Sequence, residues 1–396
     1  MGKYNFDEVI DRKNTNCLKY DFAVERHRPA DVLPLWVADM DFKTASPILD
    51  VIKETANHGI FGYTESKQDY VDAVTGWFKR RFDTQLEGEW LVKTPGVVFA
   101  LALAIKAYTN KGDAVLVQPP VYYPFFEVIE DNDRKLVKNN LVYQNGKYVI
   151  DFDDFEKKIE ENNVHLFLLC SPHNPVGRVW TKEELRRITE VCKKHDVIIV
   201  ADEIHCDFVY EGYEHTPILK ASPDYADGIV LCTAPSKTFN LAGLQTSNIF
   251  IPDKKLRHLF KKELVASGYS QLNTFGINAC TVAYNEGEEW LDELKEYLQG
   301  NLDFVRNFLK EKLPQIKLVE PEGTYLVWLD MSGLGLSKAE LNDLVTNKAK
   351  LWLDSGHIFG SEYDQFQRIV IACPRATLEE ALNRLQKAIN SKKANN

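Results

Sequence analysis

The strongest constraint on the fold is an alternation that runs through the middle of the chain. Five short, continuously apolar runs occur there: DAVLVQ (113–118), VHLFLLC (164–170), DVIIVAD (196–202), GIVLCT (228–233) and SNIFI (247–251). Unbroken Val, Ile and Leu suit strands that are covered on both faces. Between the runs lie segments with helical spacing, such as TKEELRRITEVCKKHD, where Leu185, Ile188 and Val191/Cys192 fall on one face. Its TKEE start has the pattern of a capped helix. This alternation predicts an α/β fold with a mostly parallel sheet covered by helices. Ligands of such sheets sit beyond the carboxyl ends of the strands.

Near residue 290 the pattern changes. EEWLDELKEYLQGNLDFVRNFLKEKL is one long helical stretch, followed by strand-like GTYLVWLD (323–330), helix-like SKAELNDLVTNKA and strand-like FQRIVIACP. These predict a smaller α+β domain, with the long helix as the connection. A chain of 396 residues exceeds the size at which a single core stops growing. The expected division is 1–45 as an N-terminal arm and part of the small domain, 46–288 as the large domain, and 289–396 as the small domain.

Charge and cysteine usage exclude several classes. A net charge of −10 argues against general binding to nucleic acid or to an anionic membrane, since both need a basic face. The longest apolar run, Val97 to Ile105, is too short to span a bilayer. The start, MGKYNFDEVIDRK, is polar and acidic, unlike a signal peptide, and lacks the hydroxyl residue of a myristoylation signal. Seven cysteines are scattered without any C-x-x-C spacing, so neither a disulfide framework nor a metal site is expected. A cytoplasmic protein with reduced thiols is the expectation.

Polar residues gather where the predicted strands end. Ser171-Pro172-His173-Asn174-Pro175-Val176-Gly177 follows VHLFLLC, and Asp202 closes DVIIVAD. Lys237 follows GIVLCT inside TAPSKTFNLAGLQ (233–245), Tyr122 and Tyr123 follow DAVLVQ, and Thr94-Pro95-Gly96 opens an apolar helix. Each has an ordinary explanation: Asp202 as a helix cap, Asn174 as an Asx turn, the tyrosines as core, Gly96 as a turn. One ligand explains them together, pyridoxal 5'-phosphate. Its phosphate suits the helix N-terminus at Gly96, Val97 and Val98, and its ring suits the face of Tyr122. A buried Asp202 would keep the ring nitrogen protonated, Asn174 would donate to the phenolic oxygen, and Lys237 would bind the aldehyde.

With these residues in place the chain resembles the fold-type I pyridoxal-phosphate enzymes of the aspartate aminotransferase superfamily. Within them it resembles the C–S lyase branch that holds cystathionine β-lyases and cystalysin. The resemblance runs from LPLWVADMDF (33–42) through FGYTE, PPVYYPFF, SPHNPVGRVW, ADEIHCDF and PSKTFNLAGLQ to RIVIACPRATLEEAL. It implies that Lys237 carries the cofactor as a Schiff base and then moves the substrate's α-proton, with Tyr123 beside the substrate. Arg368 would clamp the substrate carboxylate, and Val37 and Ala38 would line the entrance. Tyr63 would reach the phosphate of a neighbouring subunit, which implies a homodimer. Arg375 is expected to be structural.

Three positions depart from the superfamily pattern. Ala234 and Gln245 stand where a serine and an arginine often contact the phosphate, which leaves Thr233, Ser236 and backbone amides to balance it. His205 stands where aminotransferases often carry tyrosine. The implied activity is β-elimination from L-cystathionine or related cysteine S-conjugates, giving a thiol, pyruvate and ammonia. An aminotransferase is the alternative, and a cofactor-binding regulatory protein acting through a partner is a second. A nicotinamide dehydrogenase is excluded because no G-x-G-x-x-G follows a predicted strand.

Overall fold

The computed structural model describes residues 2–394. Seven strands, β1 (Leu91–Thr94), β2 (Ala114–Val117), β3 (Lys135–Lys138), β4 (Val164–Cys170), β5 (Ile198–Asp202), β6 (Ile229–Thr233) and β7 (Ser247–Phe250), form one sheet in the order β1-β7-β6-β5-β4-β2-β3. From β6 to β3 all neighbours are parallel. β7 runs antiparallel to both β6 and β1, so SNIFI is not a further turn of the parallel alternation. The chain between β6 and β7 stays at the strand edge and turns back, and the next strand must therefore run the other way.

Period-two alternation divides the strand residues between two cores. Val115, Val117, Leu166, Val200 and Val230 face the helix α1 (Val97–Tyr108), meeting Val97, Leu101 and Ala104. Leu116, Phe167, Ile199 and Leu231 belong to the opposite cluster, with Leu185, Ile188 and Cys192 of α2 (Lys182–Lys194). Thr181 caps α2 in a reciprocal box: the Glu184 amide donates to Thr181 Oγ1 at 3.1 Å, and the Thr181 amide donates to Glu184 Oε2 at 2.8 Å.

The 25-residue helix α3 (Glu288–Lys312) leads into a second sheet. Its strands are β8 (Lys317–Val319), β9 (Leu326–Asp330), β10 (Asp354–Ser355) and β11 (Phe366–Val370), ordered β8-β9-β11-β10 and wholly antiparallel. SKAELNDLVTNKA begins as an α-helix (Lys338–Asn342) and widens into a π-turn (Asp343–Lys348).

An N-terminal arm reaches from this smaller sheet to the larger one. Leu33–Pro34 pairs in parallel with Leu351–Trp352, and Trp36 stacks on Trp352 at 4.3 Å. Further along, Asp39 and Asp41 are held by Arg12 at 2.7 Å each, and the fully buried Lys19 reaches Asp41 at 2.9 Å. Six cysteines are buried and Cys17 is half-buried. Among the described residues no helix is long and apolar enough to cross a membrane.

Candidate active site

A cavity of about 200 Å3 opens at the carboxyl ends of the parallel strands. Lys237, Asp202, Asn174, Tyr122, Ser236, Ala38, Gly96, Val97 and Val98 all line it. Except for Ala38, which the N-terminal arm brings in, they arrive from separate strands because β1, β2, β4, β5 and β6 all finish at this edge. Gly96 is the N-cap of α1 in extended conformation, and a Cβ added there would meet no atom within 4 Å. The first amides of α1 have no acceptor in their own helix, which makes this wall of the cavity receptive to an anion.

Asp202 is the last residue of β5 and only 4% exposed. Burial holds its carboxyl up, to about 7, against one hydrogen bond from the Ile204 amide to Oδ1 at 3.1 Å. Lys237 follows β6 in the short helix Pro235–Thr238 and opens on the cavity, yet the surrounding protein pulls its amine down to about 8. Its Nζ donates to the Ala38 carbonyl at 2.7 Å, and the Tyr325 hydroxyl donates to the same oxygen at 3.1 Å. Asn240, three residues on, grips the arm as well: its amide nitrogen donates to the Met40 and Phe42 carbonyls, and its oxygen accepts from the Met40 amide.

Arg368 on β11 is 2% exposed and stands behind Asn174. Its Nη1 donates to Asn174 Oδ1 at 2.9 Å, and its Nη2 donates to the Trp36 carbonyl at 2.8 Å and to Asp354. Its Nε is buried without a partner. The Arg368 contact fixes Asn174 with its oxygen turned away, so the amide nitrogen is the end left to the cavity.

Four further expected residues lie outside the cavity lining, as Arg368 does. Thr233 is buried, and its hydroxyl donates to the Asn248 carbonyl at 3.0 Å, so it is spent inside the sheet instead of meeting a phosphate. Val37 packs with the Trp36–Trp352 pair and does not line the entrance. Tyr123 is half-buried and packs against Tyr122 and Phe359, next to the cavity lining but not in it. Tyr63 is fully exposed and borders a separate shallow cleft with Phe61 and Phe275. Arg375 ties the last helix to α3, donating to Asn301 Oδ1 at 2.8 Å.

The cavity also contains residues that the sequence did not single out for it, among them Cys170, Phe99, Ile204, Ala242 and Thr246. Thr246 sits there because β7 runs antiparallel and therefore starts at the edge where its neighbours end. His205 lines the cavity too, buried, with Nδ1 unpartnered. Burial, Lys237 and Arg368 all hold it well below the usual histidine range, so it is neutral.

Comparison with known proteins adds to this geometry. The family model described as aminotransferase class I and II matches residues 30–385. Cystathionine beta-lyase PatB of Bacillus subtilis is 44% identical over 98% of this chain and 100% of its own. Cystalysin from Treponema denticola, solved with its pyridoxal 5'-phosphate cofactor, superposes with a TM-score of 0.95 at 37% identity, covering 98% of this chain and 99% of its own. A C–S lyase from Staphylococcus hominis, bound to the same cofactor, superposes at 0.91 with 35% identity, covering 98% of each chain.

Proposed function

The chain belongs to the class I and II aminotransferase family, and on that premise we propose that it is a pyridoxal-phosphate-dependent carbon–sulfur lyase. It cleaves L-cystathionine or a related cysteine S-conjugate to a thiol, pyruvate and ammonia. The lyase reading rests on the 44% identity to a cystathionine beta-lyase over 98% of the chain. The cofactor site rests on the meeting of Lys237, Asp202 and Asn174 on one cavity with the N-terminus of α1. These donors fit the cofactor. The open N-terminal turn at Gly96 accepts a phosphate, helped by Ser236. Tyr122 offers a ring face, and Asn174 Nδ2 suits a phenolic oxygen. A carboxyl held near 7 by burial gains a partner in a protonated ring nitrogen.

When bound, pyridoxal phosphate supplies the electron-poor ring that takes up the charge of the substrate carbanion. The remaining work belongs to the chain. Lys237, with its affinity for protons lowered by burial, holds the cofactor and then takes the α-proton on Nζ. The Ala38 carbonyl accepts one N–H of that amine and so orients its lone pair. Arg368 receives the substrate carboxylate through N–H groups not already engaged, one on Nε and one on Nη1. Asp202 holds the ring proton that makes the cofactor an acceptor of electrons.

A homodimer completes the proposal. Ile60 and Phe61 are apolar yet 72% and 60% exposed, and Tyr63 beside them is free to reach a second copy's phosphate. The expected location is the cytoplasm.

Purified protein with pyridoxal phosphate and L-cystathionine, without any keto acid, is expected to release pyruvate and free thiol in sustained turnover. Lys237→Ala is expected to abolish it. Amino transfer that depends on a keto acid, with no thiol released, would overturn the lyase reading and leave the cofactor site standing.

A further inference from the structure

Asp207 is a buried carboxylate with no part in the chemistry above. It lies on the turn that follows β5 and is 4% exposed. Its Oδ2 accepts from the Thr238 hydroxyl at 2.7 Å and its Oδ1 from the Trp77 indole at 3.1 Å. Among the described residues no lysine or arginine pairs with it, and Arg81 and Lys295 act on it only from a distance. A carboxylate buried on neutral donors is costly to keep, and packing alone gives no reason for it.

Its place suggests the reason. Asp202 ends β5 and Lys237 follows the neighbouring strand β6, and the ladder between these strands ends at the bond from the Glu203 amide to the Cys232 carbonyl, 2.9 Å. Beyond that point the turn with Asp202 and the turn with Lys237 are no longer held by strand pairing. The Asp207–Thr238 bond joins them again. Trp77 strengthens the joint, since it donates to Asp207 and packs edge-on against Phe239 at 5.5 Å. Asn240 is clamped to the arm. Thus the three residues after Lys237 are anchored one by one: Thr238 to Asp207, Phe239 to Trp77, Asn240 to the arm.

We infer that Asp207 is a positioning residue for Lys237, acting through the Thr238 hydroxyl to set where the amine stands relative to Asp202. This inference rests on Lys237 being the cofactor lysine. Misplacement of a reacting group by about 1 Å costs up to roughly a hundredfold in rate.

The test compares Thr238→Val, Thr238→Ser and Asp207→Asn with the parent. Three quantities are followed: the rate at which cofactor-free protein forms its visible lysine–cofactor adduct, kcat and KM for L-cystathionine, and Tm. Thr238→Val is expected to slow adduct formation and lower kcat together by about tenfold or more, with KM changed less than about twofold. Asp207→Asn, whose Oδ1 can accept from Trp77 while its Nδ2 donates to the Thr238 hydroxyl, is expected to stay near the parent. Thr238→Ser, which keeps the hydroxyl, is expected to restore both. Parental adduct rate and kcat in Thr238→Val with a lowered Tm would overturn the inference, as would failure of serine to rescue. Should Thr238→Val not fold, Thr238→Ala decides by the same readouts. Lys237→Ala run alongside separates the two ideas: an adduct in the parent but not in Lys237→Ala upholds the cofactor reading whatever Thr238 does.

Discussion

Burial moves the two central groups in opposite directions, lifting Asp202 toward 7 and drawing Lys237 toward 8. Each shift penalises a charge, and each charge is what a protonated cofactor ring or a substrate proton would answer. For Asp202 the sign is clear. Its folded value lies above the unfolded 3.8, so the stability it contributes is full below that value and is lost as pH rises through about 7. Asp202→Asn should therefore stabilise the cofactor-free protein by on the order of 4 kcal/mol near pH 8 and by about half of that near pH 5.5, while weakening cofactor binding. Thermal melts at the two pH values check this. A less stable variant near pH 8 would contradict the origin of the shift.

At the scale of elements, the arm depends on charges that it does not itself balance. Asp39 and Asp41 are neutralised by Arg12 and Lys19 from the first twenty residues. Lys19→Met strands buried carboxylate charge, and chemical denaturation is expected to show a loss of about 3 kcal/mol. Wild-type stability would mean that the arm holds without its brace. The sequence made some of these elements plain and hid others. β2, β4, β5 and β6 were legible because unbroken apolar runs have few other homes. β3, with its exposed lysines, has the pattern of a surface segment, and it is an edge strand. The direction of β7 was not legible, since it depends on the path of residues 234–246. Asn174, Asp202 and Lys237 stood out because each lies at a strand end or four residues past one, and all three reach the cavity lining. Thr246 was not, since it precedes one. Thr233 misled because a hydroxyl at a strand end can turn into the ladder as readily as out of it, and here it bonds Asn248.

For the whole molecule, the proposed dimer makes a quantitative demand. If Tyr63 serves the partner's site, a Tyr63→Ala chain and a Lys237→Ala chain damage different halves of each site. Mixing and reassociating the two should recover about a quarter of parental activity, because half of the dimers then hold one intact site. No recovery on mixing would exclude shared sites. The buried cysteines carry a different consequence. Burial raises the pKa of all six and keeps them protonated, and a protonated, enclosed thiol takes no part in disulfide exchange. An enzyme that releases thiols works among sulfur nucleophiles and the disulfides they become. The five interior cysteines away from the cavity are shut off from that traffic, which leaves Cys170 in the cavity lining and half-buried Cys17 as the sulfur atoms of this chain that a product thiol or its disulfide can meet.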